Sequence, residues 1–165
     1  MGKLIDYRDL LNWRLQYGTI PGTDEHSQRK LTVTNGCFDV LHYGHLRLLQ
    51  TASLYADDLL IGINSDAGVR ALKGPHRPLH PENERAEILA ELNCVTHVCI
   101  FPGDRATEFL RRSRPHVYVK GGDYSIGTLY PPELRALEEA DSEIIFVPTI
   151  PNRSTSRILN ELAHR

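Results

Sequence analysis

The strongest constraint on the fold is a rhythm. Five short apolar stretches, at residues 31–34, 59–64, 96–101, 116–120 and 143–147, are separated by segments with helical spacing. The stretches are β-branched or aliphatic and nearly continuous rather than alternating, which is the pattern of strands covered on both faces. Between them, Leu46, Leu49 and Ala52 share one stripe and Ile88, Leu89 and Leu92 another, while Phe109 and Leu110 follow Asp104 as a cap candidate. Strand and helix alternating at intervals of roughly 20–35 residues is the βαβ rhythm, with right-handed crossovers. The expected fold is a Rossmann-like, doubly wound, five-stranded parallel α/β sheet with helices on both faces. In such a sheet, ligands bind where the carboxyl ends of strands meet the starts of helices.

Residues 1–29 read differently, as an N-terminal helix and loop extension to a domain spanning 30–165. Tyr7, Leu11 and Leu15 fall on one helical stripe with Leu10 beside them, and Gly18–Lys30 is a Gly, Pro and polar loop. A second loop, 121–132, is rich in Gly and Pro and long enough to carry function.

Composition narrows the function. The chain has 165 residues, 19 Lys and Arg against 21 Asp and Glu, and a net charge of −2, which argues against a nucleic-acid surface. It has neither an apolar run near the ~20 residues of a membrane span nor a signal-peptide core, so a cytoplasmic location without membrane contact is expected. Cys37, Cys94 and Cys99 form no CxxC pair and read as reduced thiols.

The densest chemical signal follows the first of the five stretches, in the run Thr34-Asn35-Gly36-Cys37-Phe38-Asp39-Val40-Leu41-His42-Tyr43-Gly44-His45. Two histidines three apart flank a glycine where a helix should begin. The free N–H groups and positive dipole of a helix start favour phosphate, and imidazoles there can donate to phosphoryl oxygens as charge develops. From the residues alone, two other readings stand beside this one. One is a metal pair that lacks a third ligand; the other is a capping histidine with a packed neighbour. Walker A, GxGxxG and GxSxG sequences are absent.

The run resembles the (T/N)GxFDxxHxGH signature of the nucleotidylyltransferase, or cytidylyltransferase-like, superfamily. Further matches follow in order: Ile63-Asn64-Ser65-Asp66, Leu72-Lys73-Gly74-Pro75-His76-Arg77-Pro78, Glu84-Arg85, Val119-Lys120-Gly121-Gly122-Asp123-Tyr124 and Ser154-Thr155-Ser156. Across residues 30–163 the chain is most similar to the D-glycero-β-D-manno-heptose 1-phosphate adenylyltransferase domain of ADP-heptose synthesis, a step toward lipopolysaccharide.

The resemblance implies nucleotidyl transfer from ATP to a sugar 1-phosphate by direct attack on the α-phosphorus, with Mg²⁺ carried on the triphosphate and no confident protein metal ligand. It implies catalytic roles for His42, His45 and Lys73. It implies nucleotide contacts from Asn35, Gly36, Cys37, Phe38, Asp39 and Gly44, and from Arg153, Ser154, Thr155 and Ser156 at the last helix. Asp39 is open between holding the loop and taking part in chemistry. Substrate contacts fall to Asn64, Asp66, Arg77, Arg85, Lys120, Gly121, Gly122 and Asp123; for Arg85, internal pairing or a subunit contact competes. Arg153 departs from the heptose pattern and resembles an Arg of the glycerol-phosphate cytidylyltransferases. The partners implied are small molecules and a second copy in a homodimer. The pathway often fuses this domain to a sugar kinase, for which 165 residues leave no room, so a stand-alone enzyme is expected. The alternatives are a cytidylyltransferase using CTP and glycerol 3-phosphate or another phospho-alcohol, and a non-catalytic nucleotide-binding regulatory protein.

Overall fold

The computed structural model describes residues 2–17 and 29–148. Its elements in chain order are β1 Lys3–Ile5, α1 Leu10–Gln16, β2 Leu31–Gly36, α2 Tyr43–Ala52, β3 Asp58–Asn64, α3 Asp66–Lys73, α4 Glu82–Ala90, β4 His97–Phe101, α5 Thr107–Ser113, β5 Val117–Gly121, α6 Pro131–Glu139 and β6 Glu143–Val147. The strands form one sheet in the order β1-β4-β3-β2-β5-β6, and every neighbouring pair is parallel.

All five apolar stretches are strands, and β3 is buried along its whole length, as a strand covered on both faces must be. The sheet has a sixth strand where five were expected. Lys3–Ile5 pairs in parallel with His97, Val98 and Cys99, and the Gly2 N–H donates to the Ala90 carbonyl. Three residues, two of them exposed, carry too short a pattern for periodicity to register; β1 forms because β4 offers an unpaired edge.

Helices cover both faces. On one, Leu49 and Ala52 of α2 and Ala86 and Leu89 of α4 pack against Ile61, Ile63 and Val98. On the other, Leu10 of α1, Phe109 and Leu110 of α5 and Leu137 of α6 pack against Val33, Leu60 and Tyr118.

Two expected helix faces and one expected cap differ in the structure. In α1 the buried residues are Leu10 and Arg14, while Leu11 and Leu15 are exposed. The Arg14 guanidinium donates to the carbonyls of Ser113 (2.9 Å) and Arg114 (3.0 Å); these are orphan acceptors at the end of α5, and satisfying them turns the helix. In α4, Ile88 is exposed and Arg85 is buried. Asp104 does not cap α5: Ala106 is the N-cap, and the Ala106 N–H is taken by the Glu133 carboxylate from α6 (2.8 Å). The chain runs from β2 outward through β3 to β4, then returns to β5 on the other side of β2, so the sheet reverses direction between β2 and β5. No described helix is long and apolar enough to cross a membrane.

Candidate active site

A cleft of about 730 Å³ opens at the carboxyl ends of β2 and β5, the reversal point of the sheet. Its lining brings together Asn35, Gly36, Cys37 and Phe38 after β2, His45 and Leu48 of α2, Asn64 of β3 and Leu72 and Lys73 of α3. The opposite wall carries Asp104 and Arg105 before α5, Lys120, Gly121 and Tyr124, and the start of α6 with Tyr130 and Glu133. Segments far apart in sequence thus place three cationic side chains and an imidazole around one space.

The histidine pair is built by the helix it opens. His42 is the N-cap of α2, and its Nδ1 accepts the His45 N–H at 3.3 Å, the helix-start geometry in which a side chain satisfies an orphan donor. The two rings stack with centroids 3.8 Å apart, and the Phe38 ring lies 5.1 Å from that of His45. Burial lowers the pKa of His45 to about 4, with His42 and Lys73 pushing the same way and a backbone hydrogen bond at Val40 opposing them. His42 is lowered too, by burial first and then by Lys73. Both imidazoles are therefore neutral near pH 7 in the unliganded site, and an arriving anion would favour their charged forms.

The loop after β2 is fastened from below. Asp39 is buried and pairs with Arg77; it also accepts the N–H groups of Leu79 (2.7 Å) and His80 (3.1 Å). Those bonds hold its carboxyl below the usual carboxylate range although burial acts the other way. Asp39 and Arg77 thus tie the segment after Lys73 to the β2 loop, and neither lines the cleft.

Arg85 lies beneath the same floor. It is 2% exposed, and its guanidinium donates to the carbonyls of Cys37, His80 (2.9 Å) and Asn64 (2.9 Å) and to the Asp66 carboxylate (2.8 Å). Arg85 and Asp66 are thereby committed to each other and to the ends of β2 and β3, apart from the cleft lining. Asn64 does reach the cleft, where its amide donates to the carbonyls of Gly103 (3.1 Å) and Asp104 (3.3 Å) and its oxygen accepts the Cys37 thiol at 3.8 Å.

At β5, the Lys120 ammonium donates to the Asn35 side-chain oxygen (3.3 Å) and lies 5.2 Å from the Tyr124 ring centroid. A Cβ at Gly121 would sit 2.6 Å from a Leu48 methyl, so a side chain there would oblige Leu48 of α2 to shift. Gly122 adopts φ 125°, a region favouring glycine. It begins the turn into exposed Asp123, whose side chain, like Gly122, does not contribute to the lining. Gly44 lies in the first turn of α2. Arg153, Ser154, Thr155 and Ser156 lie outside the described residues.

Arg105, Tyr124, Tyr130 and Glu133 line the cleft unforeseen. The Arg105 guanidinium stacks 4.5 Å over the Tyr130 ring, and buried Glu133 faces inward from α6. The usable signal for Arg105 was its place in the loop just after a strand's carboxyl end, where sheet-edge ligands bind. No comparable pattern marks Glu133.

Residues 33–161 match the family model described as cytidylyltransferase-like. The chain is 40% identical over 137 residues to the bifunctional protein HldE of Trichlorobacter lovleyi, covering 83% of this chain and 28% of that protein. It is 37% identical over 161 residues to the bifunctional protein HldE of Syntrophotalea carbinolica, covering 98% of this chain and 32% of that protein. The chain thus spans about a third or less of the length of these curated relatives. Among solved structures, the lipopolysaccharide core biosynthesis protein from Thermoplasma volcanium aligns with a TM-score of 0.59 at 20% identity over 74% of this chain and 97% of that one. At that identity the likeness is one of fold.

Proposed function

The chain belongs to the cytidylyltransferase-like family of nucleotidyltransferases, and we propose that it transfers the adenylyl group of ATP to a sugar 1-phosphate, D-glycero-β-D-manno-heptose 1-phosphate, as part of ADP-heptose synthesis. The observation that carries this reading is the convergence of His45, Lys73 and Lys120, from α2, α3 and β5, on one cleft at the sheet's reversal point, with His42 stacked on His45.

In this reading an oxygen of the acceptor phosphate attacks the α-phosphorus of ATP. The bond from that phosphorus to the bridging oxygen breaks and pyrophosphate leaves with its electron pair. His42 and His45 donate to α-phosphate oxygens at the start of α2, where the helix dipole adds to them. Lys73, exposed at the end of α3, neutralises the departing pyrophosphate. Lys120 and the Gly121 backbone hold the acceptor phosphate in line, and this positioning supplies a large share of the rate.

Magnesium enters with the triphosphate as part of the substrate. Among the described residues no group of three metal-ligating side chains gathers.

The test is pyrophosphate release with Mg²⁺, ATP or CTP being crossed against heptose 1-phosphate, glycerol 3-phosphate and other phosphorylated acceptors. Turnover with ATP and heptose 1-phosphate is expected, and His42→Ala and His45→Ala should each lower kcat by about 10²-fold or more. Turnover with CTP alone would overturn the substrate assignment and keep the chemistry. Nucleotide binding without turnover on any acceptor would favour a regulatory role.

A further inference from the structure

We propose that Tyr118 and Asn35 are positioning residues for Lys120: the Tyr118 hydroxyl holds the Asn35 side-chain oxygen, and that oxygen fixes the direction of the Lys120 ammonium in the cleft. The inference rests on the reading of Lys120 as an acceptor-phosphate contact, and it adds two residues that do the aiming.

Asn35 is the penultimate residue of β2, and Tyr118 and Lys120 lie two apart on the neighbouring strand β5, so their side chains leave β5 on the same face. The Tyr118 hydroxyl donates to Asn35 Oδ1 at 2.6 Å, and Lys120 Nζ donates to the same oxygen at 3.3 Å. Two donors on one oxygen decide which way the amide faces, because the opposite orientation would set its NH₂ against an ammonium. An ammonium carries three donors; Asn35 engages one and thereby directs the other two.

Tyr118 is fully buried, packed with Val33 and Leu137. A phenylalanine ring would fill that space equally well, so the hydroxyl is there for its hydrogen bond. Burial pushes the phenol well above its usual range, with Glu133 and Tyr124 adding to this, and it stays a donor at any working pH.

The other groups around Lys120 come from every neighbouring segment. Burial lowers the ammonium's pKa, Glu133 of α6 and Cys37 after β2 oppose that, and Arg105 before α5 adds to it. The rings of Tyr118 and Tyr124 lie 5.9 and 5.2 Å from Nζ. Amid these neighbours the Asn35 oxygen, 3.3 Å from Nζ, accepts from the ammonium.

The test titrates Lys120 in the intact chain by its rate of modification with an amine-directed reagent across pH, read by mass spectrometry at that residue. Asn35→Leu and Tyr118→Phe should move the titration to lower pH, by about one unit for Asn35→Leu. Asn35→Asp, which keeps an acceptor and adds charge, should move it to higher pH. In the pyrophosphate assay, Tyr118→Phe should raise KM for the acceptor several-fold and leave KM for ATP within about twofold. An unchanged Lys120 titration in folded Tyr118→Phe would overturn the proposal. Because labelling needs no turnover, it decides the positioning role even if every acceptor fails, an outcome that would count against the substrate reading alone. If Asn35→Leu does not fold, Tyr118→Phe carries the decision.

Discussion

His42 and His45 stand ring on ring at 3.8 Å, and one is fixed by capping the backbone of the other. Burial depresses the pKa of both imidazoles, and Lys73 pushes the same way. A group whose folded pKa lies below its unfolded value stabilises the fold above the unfolded value, and that contribution is lost as pH falls through the folded one. For His45 this window runs from about 6.5 down to about 4. The melting temperature is expected to fall through that window, and to fall less steeply in His45→Gln. Equal slopes in the two proteins would remove the pair from the account.

The same depression makes binding proton-coupled. Nucleotide phosphate beside the pair raises both pKa values, so binding near pH 6.5 should take up protons. Calorimetric titration in buffers of different ionisation enthalpy reads this directly as a slope of observed enthalpy. A slope of zero, with binding intact, would count against phosphate contact by the histidines.

Arg85 is the structural centre of the floor. Replacing it with Met leaves the carbonyls of Cys37, His80 and Asn64 and the Asp66 carboxylate without their donor. A loss of about 3–5 kcal/mol in urea unfolding is expected, the scale for removing one partner from a buried charge network. Asp66→Asn, which keeps an acceptor for the guanidinium on a partly exposed side chain, should cost about 1 kcal/mol. Similar losses in both would contradict this division.

Asp39 anchors the segment that follows Lys73. Asp39→Ala releases Arg77 and the N–H groups of Leu79 and His80, freeing the segment between α3 and α4. Faster proteolytic cleavage within residues 74–80 is expected, together with a fall in kcat larger than the change in nucleotide affinity. Cleavage at the wild-type rate would show that the segment is held by something else.

Gly121→Ala should distort the contact between β5 and α2, because the new methyl would meet Leu48 at 2.6 Å. A loss of about 1–3 kcal/mol is expected, with part of it restored by Leu48→Ala in the double variant. Additive losses would mean the clash is relieved elsewhere.

Much of this was legible in the sequence, and for a common reason. Strands such as residues 59–64 declare themselves because burial on both faces demands an unbroken apolar run. The TNGCFDVLHYGH run places its histidines at a helix start by local geometry alone, and residues 35–45 stay together in the fold. The approach of Lys120 to that start follows from the rule that parallel strands present their carboxyl ends on one side, whereas Lys73 comes to it from the end of helix α3.

What tertiary structure alone decided is which charges face the cleft and which are committed inside the protein. Arg77, Arg85 and Asp66 are expected from the motifs as substrate contacts, yet each has its partner within the fold. Tyr118 and Glu133 carry no local pattern, yet Glu133 lines the cleft and the Tyr118 hydroxyl donates to Asn35 beside it. β1 formed because β4 had a free edge, and α1 turned its Arg14 inward because α5 ended with bare carbonyls. Periodicity and motif spacing are short-range properties and specify elements and the starts of helices. The partner of a charge is set by Coulomb energy and desolvation in three dimensions, between residues tens of positions apart.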